Sequence, residues 1–156
     1  MFRCKDETYE QTDILGNVRM ISQQFYIGNK DWKIRAYYNV EFITDRDIVY
    51  NALTQSGCEE SNARKALRVL MNKDTGYTFS NLDKKESVVC ASCASGFDEM
   101  FSTITHEIKH VVEHISDYYD VDPKSEEAAY LQGEISKQMY KAVALAICPK
   151  CNCKND

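Results

Sequence analysis

The 156-residue sequence has no long apolar run and no apolar leader. A membrane-spanning helix needs about 18 or more consecutive apolar residues, whereas the longest helical apolar segment here is AVALAI at 142–147. The first residues, MFRCKDETYEQTD, lack the apolar core of a signal peptide. The sequence therefore predicts no membrane partner and no export, and we expect a cytoplasmic protein.

Basic residues are fewer than acidic ones: the chain has 19 Lys and Arg and 24 Asp and Glu, which gives a net charge of −5. Because phosphate binding needs a basic face, this balance argues against nucleic acid as a partner. Internal repeats and low-complexity linkers are also missing. The length predicts one domain over residues 1–156. We divide it into N-terminal strands and helices (1–86), a metal-site core (87–147) and a cysteine-rich tail (148–156).

Hydrophobic patterning predicts an α+β fold. Segments rich in β-branched and aromatic residues predict strands at 20–28, 32–42, 76–80 and 86–92, paired into two hairpins by the turn signals GNKD and NLDKK. Helical spacing of apolar residues predicts helices at 44–57, 61–73, 97–119 and 125–147. The expected architecture is a small antiparallel sheet packed on the two long C-terminal helices.

Histidine is scarce, with three residues in the chain, and its placement directs the functional interpretation. All three histidines, His106, His110 and His114, lie at intervals of four in THEIKHVVEHI. Residues at i and i+4 lie one turn apart on a helix, so His106 and His110 can bind one zinc ion. Glu107 lies beside the first ligand, where a general base for a zinc-bound water would be. An ordinary polar helix face is the alternative.

A third ligand has to come from another element. His114 is about 12 Å along the helix from His106, so these two cannot share an ion; we expect a supporting or surface histidine. The segment SEEAAYLQGEI offers Glu126 and Glu127 on the next helix. Glu127 borders that helix's predicted inward stripe and is the preferred ligand, although both are also typical of acidic residues at a helix N-terminus. Two histidines and one glutamate leave a position open for water, as in catalytic zinc sites.

HEIKH followed by EEAAYL resembles the gluzincin-type zinc metallopeptidases, especially the small single-domain forms of bacteria, phages and mobile elements. The resemblance covers roughly 87–140 and implies a zincin-like fold, one catalytic Zn²⁺ and Glu107 as the base. It also implies that the strand at 87–90 pairs with an extended peptide or protein substrate. Lys109 departs from the uncharged residue usual in such families.

The resemblance leaves the oxyanion-stabilising residue without a clear counterpart. Tyr118, Tyr119 and Tyr130 are candidates by proximity in sequence. It also implies a location in the bacterial host cytoplasm, or in the virion if a phage encodes the chain.

The seven cysteines are expected to be reduced in a protein that is not exported. Two C-x-x-C pairs, Cys90 with Cys93 and Cys148 with Cys151, predict a possible structural Cys4 zinc site; isolated thiols are the alternative.

The leading hypothesis is a zinc-dependent metallopeptidase with Glu107 as general base. The competing one is a non-catalytic metal-binding structural or assembly protein of a phage or mobile element that retains the gluzincin fold. The sequence indicates neither a substrate nor an oligomeric state.

Overall fold

A computed structural model describes residues 7–12 and 18–146 of the chain. Its elements, in chain order, are β1 (Glu7–Thr12), β2 (Val18–Ile27), β3 (Trp32–Val40), α1 (Phe42–Gln55), α2 (Glu60–Leu70), β4 (Gly76–Asn81), β5 (Glu86–Ser92), α3 (Phe97–Tyr119) and α4 (Glu126–Ala146). The α+β class is confirmed. Each predicted strand and helix is present, with ends that differ from the prediction by a few residues at most.

The sheet has five strands in the order β1-β2-β3-β5-β4. Both predicted hairpins, β2–β3 and β4–β5, are antiparallel. The prediction of an all-antiparallel sheet is wrong at one position, because β3 and β5 are parallel. The chain crosses over through α1, α2 and β4 before β5 enters beside β3, and parallel neighbours require such a long connection.

Helices cover both faces of the sheet. On one face, α3 and α4 bury a core that includes Phe25, Trp32, Ile34 and Ile135. On the other, α1 and α2 cover a smaller cluster that includes Leu53. Because successive strand residues point to opposite faces, each central strand contributes to both cores. The predicted packing of the sheet on the two C-terminal helices is confirmed, and α1 and α2 form an additional layer.

Strand β4 is an edge strand with two unlike faces. Tyr77 and Phe79 pack against the α1/α2 core. The alternate residues Gly76, Thr78 and Ser80 belong to the face that contacts α3. The side of α3 next to β4 therefore meets hydroxyl groups and a glycine instead of apolar side chains.

Two details of the helices differ from expectation. Helix α1 begins at Phe42 instead of Thr44, and the Asp45 carboxylate accepts a hydrogen bond from the Glu41 N–H (2.8 Å) before its first turn. In α3, Phe97 and Phe101 are part of the apolar spacing that predicts the helix, but their side chains are exposed and stack on each other. Among the described residues, no helix combines the length and apolar character needed to cross a membrane.

Candidate metal centre

His106 and His110 converge on one point beside α3. Their Nε2 atoms lie 3.2 Å apart, with the rings nearly perpendicular. Two nitrogens that each bind one zinc at 2.0–2.1 Å with tetrahedral geometry are about 3.3–3.4 Å apart. The pair therefore has the separation of two ligands of one ion, as the four-residue spacing predicts.

A carboxylate lies behind the second histidine. Oε2 of Glu113 is 3.7 Å from Nδ1 of His110, the ring nitrogen that does not face His106. A carboxylate near the non-ligating nitrogen of a metal-binding histidine orients the ring and raises its basicity. Lys109, the residue that departs from the family pattern, lies 3.9 Å from the other oxygen of Glu113 and not beside the histidine pair.

Glu107 is buried between α3 and β4, with 4 % of its surface exposed. Oε2 accepts a hydrogen bond of 2.6 Å from the hydroxyl of Thr78. Gly76 allows the close approach, because a Cβ there would lie 2.7 Å from Glu107 Oε1. The carboxylate is thus held by one oxygen, and the second oxygen lies against a glycine.

A cleft of about 400 Å³ opens at this position. Its wall includes His106 and Glu107 from α3 and Gly76 from the start of β4, with Asp74 and Thr75 just before that strand. It brings one of the paired histidines and the predicted base to a common surface that water or a ligand can enter.

The third histidine faces β4 instead of the histidine pair. Nδ1 of His114 lies 2.7 Å from Oγ of Ser80, and the ring is half-buried. Burial and the nearby His110 lower the pKa of His114, whereas Asp117 and Glu113 act in the opposite direction.

Glu127 is not brought to the histidine pair. It lies at the start of α4, with a side chain 59 % exposed, and accepts an ion-pair contact from Lys30 (2.9 Å). Its neighbours across a small crevice are Ser116 and Tyr119, from the last turns of α3. Glu126, the competing residue, is exposed in the same turn.

The antiparallel packing of the two long helices explains this separation. The first turns of α4 lie beside the end of α3, and its later residues Met139 and Val143 lie beside Ile104 and Ile108. Tyr119 is nine residues beyond His110, or about 13 Å along the helix. Within residues 7–12 and 18–146, no group of three His, Cys, Asp or Glu side chains is placed to hold a metal ion.

The resemblance also predicts that the strand at 87–90 pairs with an extended substrate, and this is wrong. Strand β5 pairs with β3 on one side and β4 on the other, so it has no free edge. The strand next to the cleft is β4, whose outer edge is unpaired among the described strands.

The three candidate tyrosines lie away from His106. Tyr118 and Tyr119 pack on Trp32 at the far end of α3, with ring centroids 5.6 and 6.4 Å from it. The Tyr119 hydroxyl donates to the carbonyl oxygen of Lys30. Tyr130 is exposed on α4.

The structure describes one of the two predicted cysteine pairs, Cys90 with Cys93. Cys90 is fully buried in the α1/α2 core, and desolvation, with a smaller effect of Glu107, raises the pKa of its thiol. Cys93 is half-buried, with Sγ 3.5 Å from the carbonyl oxygen of Val40. Cys148 and Cys151 lie outside the described residues. In this arrangement Cys90 is an apolar core residue, and a thiol so buried is a poor source of the thiolate that zinc needs.

Sequence reasoning missed Gly76, Thr78 and Ser80, the β4 residues that meet Glu107 and His114. A signal was present, since GYTFSN alternates small or polar residues with aromatic ones. That period of two predicts one polar and one apolar strand face.

No family model matches the chain, and no curated protein or solved structure matches it either.

Proposed function

We propose that this chain is a zinc-dependent metallopeptidase of zincin-like fold, with His106 and His110 as zinc ligands and Glu107 as the general base. The observation that carries the proposal is the 3.2 Å separation of the two histidine Nε2 atoms. The position of α3 beside the edge strand β4, with a long antiparallel helix behind it, is consistent with a zincin-like arrangement.

Two of the three expected ligands fit zinc. Neutral imidazole nitrogens at this separation suit the ion, and Glu113 lies where it can orient one of them. The expected carboxylate ligand, Glu127, does not fit in this arrangement because it lies beside the last turns of α3, away from the histidine pair. Zinc bound here would polarise a carbonyl group and lower the pKa of water.

The residues of the chain would divide the remaining work. Glu107 would accept a proton at Oε1, because Oε2 is occupied by the Thr78 hydroxyl. It would later return that proton to the leaving amine, as a general acid–base residue does. The adjoining cleft of about 400 Å³ has room for several atoms of a peptide beside His106.

The first experiment measures zinc per chain by elemental mass spectrometry in the parent and in a His106→Ala/His110→Ala variant. We expect one zinc in the parent that is lost from the variant. His114→Ala is the matched control, since the ring of His114 faces Ser80, and it should keep the parent's zinc content. If the parent protein, purified without chelators and then supplied with zinc, contains no zinc, the proposal is wrong.

A non-catalytic metal-binding or assembly protein is the second candidate. The position of Glu127 beside the last turns of α3 favours it, because a histidine pair alone is an incomplete catalytic set. Cleavage of a peptide library by the zinc-loaded parent, absent in Glu107→Gln, decides for the peptidase. If the parent binds one zinc per chain but cleaves the library no faster than Glu107→Gln, the result supports the non-catalytic protein.

A further inference from the structure

A series of hydrogen bonds joins the buried core to His114, the histidine that the proposed zinc site does not use. Trp32 Nε1–H donates to Ser87 Oγ at 2.9 Å. The hydroxyl oxygens of Ser87 and Ser80 are 2.7 Å apart, and Ser80 Oγ is 2.7 Å from Nδ1 of His114. Trp32 and Ser87 are fully buried, so water does not compete for the inner bonds.

The direction of the bonds follows from the buried end. An indole N–H only donates, so the Ser87 oxygen accepts from Trp32. The Ser87 hydroxyl contacts no acceptor other than Ser80 in the described part of the chain, so its hydrogen goes to Ser80. Ser80 then gives its own hydrogen to Nδ1 of His114. This is the one arrangement in which both hydroxyl hydrogens find an acceptor within the series.

An accepting Nδ1 determines the form of the imidazole. A neutral histidine that accepts at Nδ1 carries its hydrogen on Nε2. The neutral form is favoured by burial and by His110, which lower the pKa of the ring against the opposing effects of Glu113 and Asp117. From β4, the group in contact with the ring is the uncharged hydroxyl of Ser80.

We infer that His114 is a hydrogen-bond donor to a bound peptide, held by Ser80 as the neutral Nε2–H tautomer. The ring is partly exposed, and no described residue forms a hydrogen bond with Nε2. A zinc ion shared by His106 and His110 would lie level with the midpoint of the two residues, about 9 Å along the helix from His114. Since an extended peptide advances about 3.3–3.6 Å per residue, the donor would meet a carbonyl or carboxylate oxygen about three residues from the scissile bond.

The identity of this ligand rests on the proposed peptidase function, but the tautomer can be measured without it. The chain has three histidines, so a long-range proton–nitrogen NMR spectrum of protein labelled with 15N-histidine resolves each ring. In metal-free parent protein at neutral pH, we expect His114 as the Nε2–H form. An Nδ1–H form in the parent would overturn the inference.

Ser80→Ala tests the cause of that preference. We expect the ratio of the two His114 tautomers to move about tenfold toward Nδ1–H. One hydrogen bond contributes about 1.4 kcal/mol, which corresponds to a tenfold change in an equilibrium. Ser136→Ala is the control, because that hydroxyl donates to Gln132 within its own helix, and it should leave the ratio unchanged. An unchanged ratio in Ser80→Ala contradicts the role of Ser80.

Peptide binding tests the role of the donor. The probe is acetyl-Ala-Ala-Ala-amide in millimolar excess over the Glu107→Gln protein with zinc added, so that the probe is not cleaved. We expect the Nε2 signal of His114 to shift, and His114→Phe in the same background to raise the probe's dissociation constant about tenfold. An unmoved signal would overturn the inference. A shift in protein that binds no zinc would overturn the proposed function alone.

Discussion

The two glutamates that the sequence predicts in one site occupy contrasting places in the structure. Glu107, in the first half of α3, is 4 % exposed and accepts a hydrogen bond from Thr78 on the edge strand. Glu127, at the start of α4, has a side chain 59 % exposed and contacts Lys30 near the opposite end of α3. One carboxylate is therefore held by a buried contact and the other by a surface ion pair.

The difference shows how strongly each contact constrains its carboxylate. A buried carboxylate without its donor is costly, whereas an exposed ion pair contributes about 0–1 kcal/mol and is weakened by salt. Glu107 is thus held in place by the fold. Glu127 is held by a contact that can be exchanged for water at little cost.

The largest expected effect comes from changing the proposed general base. Glu107→Gln keeps the shape of the side chain and an oxygen for Thr78, but it cannot accept a proton. We expect a loss of about 10²–10⁴-fold in kcat for peptide hydrolysis, with the zinc content of the parent retained. Hydrolysis at the parental rate would contradict the general-base role.

The second effect is steric and concerns Gly76. A Cβ at this position would lie 2.7 Å from Cγ and Oε1 of Glu107, so Gly76→Ala has to displace the carboxylate or β4. We expect the free energy of unfolding to fall by about 1–3 kcal/mol in denaturant titrations.

Gly133→Ala is the matched control for that substitution. Gly133 lies inside α4 with nothing within 4 Å of a new Cβ. There, alanine should stabilise the protein by up to about 1 kcal/mol. Equal effects of the two substitutions would show that Glu107 does not pack against Gly76 in solution.

Removing the donor of Glu107 is expected to have a smaller effect. Thr78→Val keeps the side-chain volume but leaves Oε2 of Glu107 without its hydroxyl partner. We expect a destabilisation of about 1–2 kcal/mol by thermal or chemical unfolding. Thr78→Ser, which retains the hydroxyl, should recover most of it; if serine and valine behave alike, the hydrogen bond is not the cause.

The smallest effect is expected at the other carboxylate. Lys30→Met removes the cation that contacts Glu127, and we expect less than about 1 kcal/mol of stability to be lost. With the structure as it stands, Glu127→Gln should leave the zinc dissociation constant within about threefold of the parent's. A large loss of zinc affinity in this variant would restore Glu127 as the third ligand.

Much of the fold could be predicted from the sequence because its signals are local. The β-branched and aromatic content of the segments 20–28 and 32–42 and the helical spacing in the segments 97–119 and 125–147 are properties of neighbouring residues. The convergence of His106 and His110 is local too, since one helical turn fixes it. These features hold whichever way the elements pack.

The sequence alone therefore predicts the helices, every strand except β1, and the pairing of two histidines on one helix. The tertiary structure alone decided that β5 lies inside the sheet and β4 at its edge, because strand order depends on how distant segments pair. It alone decided that Glu107 meets Thr78, 29 residues away, and that Glu127 meets Lys30, 97 residues away. Contacts at such separations depend on the packing of whole elements, and the spacing of residues along the chain carries no direct signal of them.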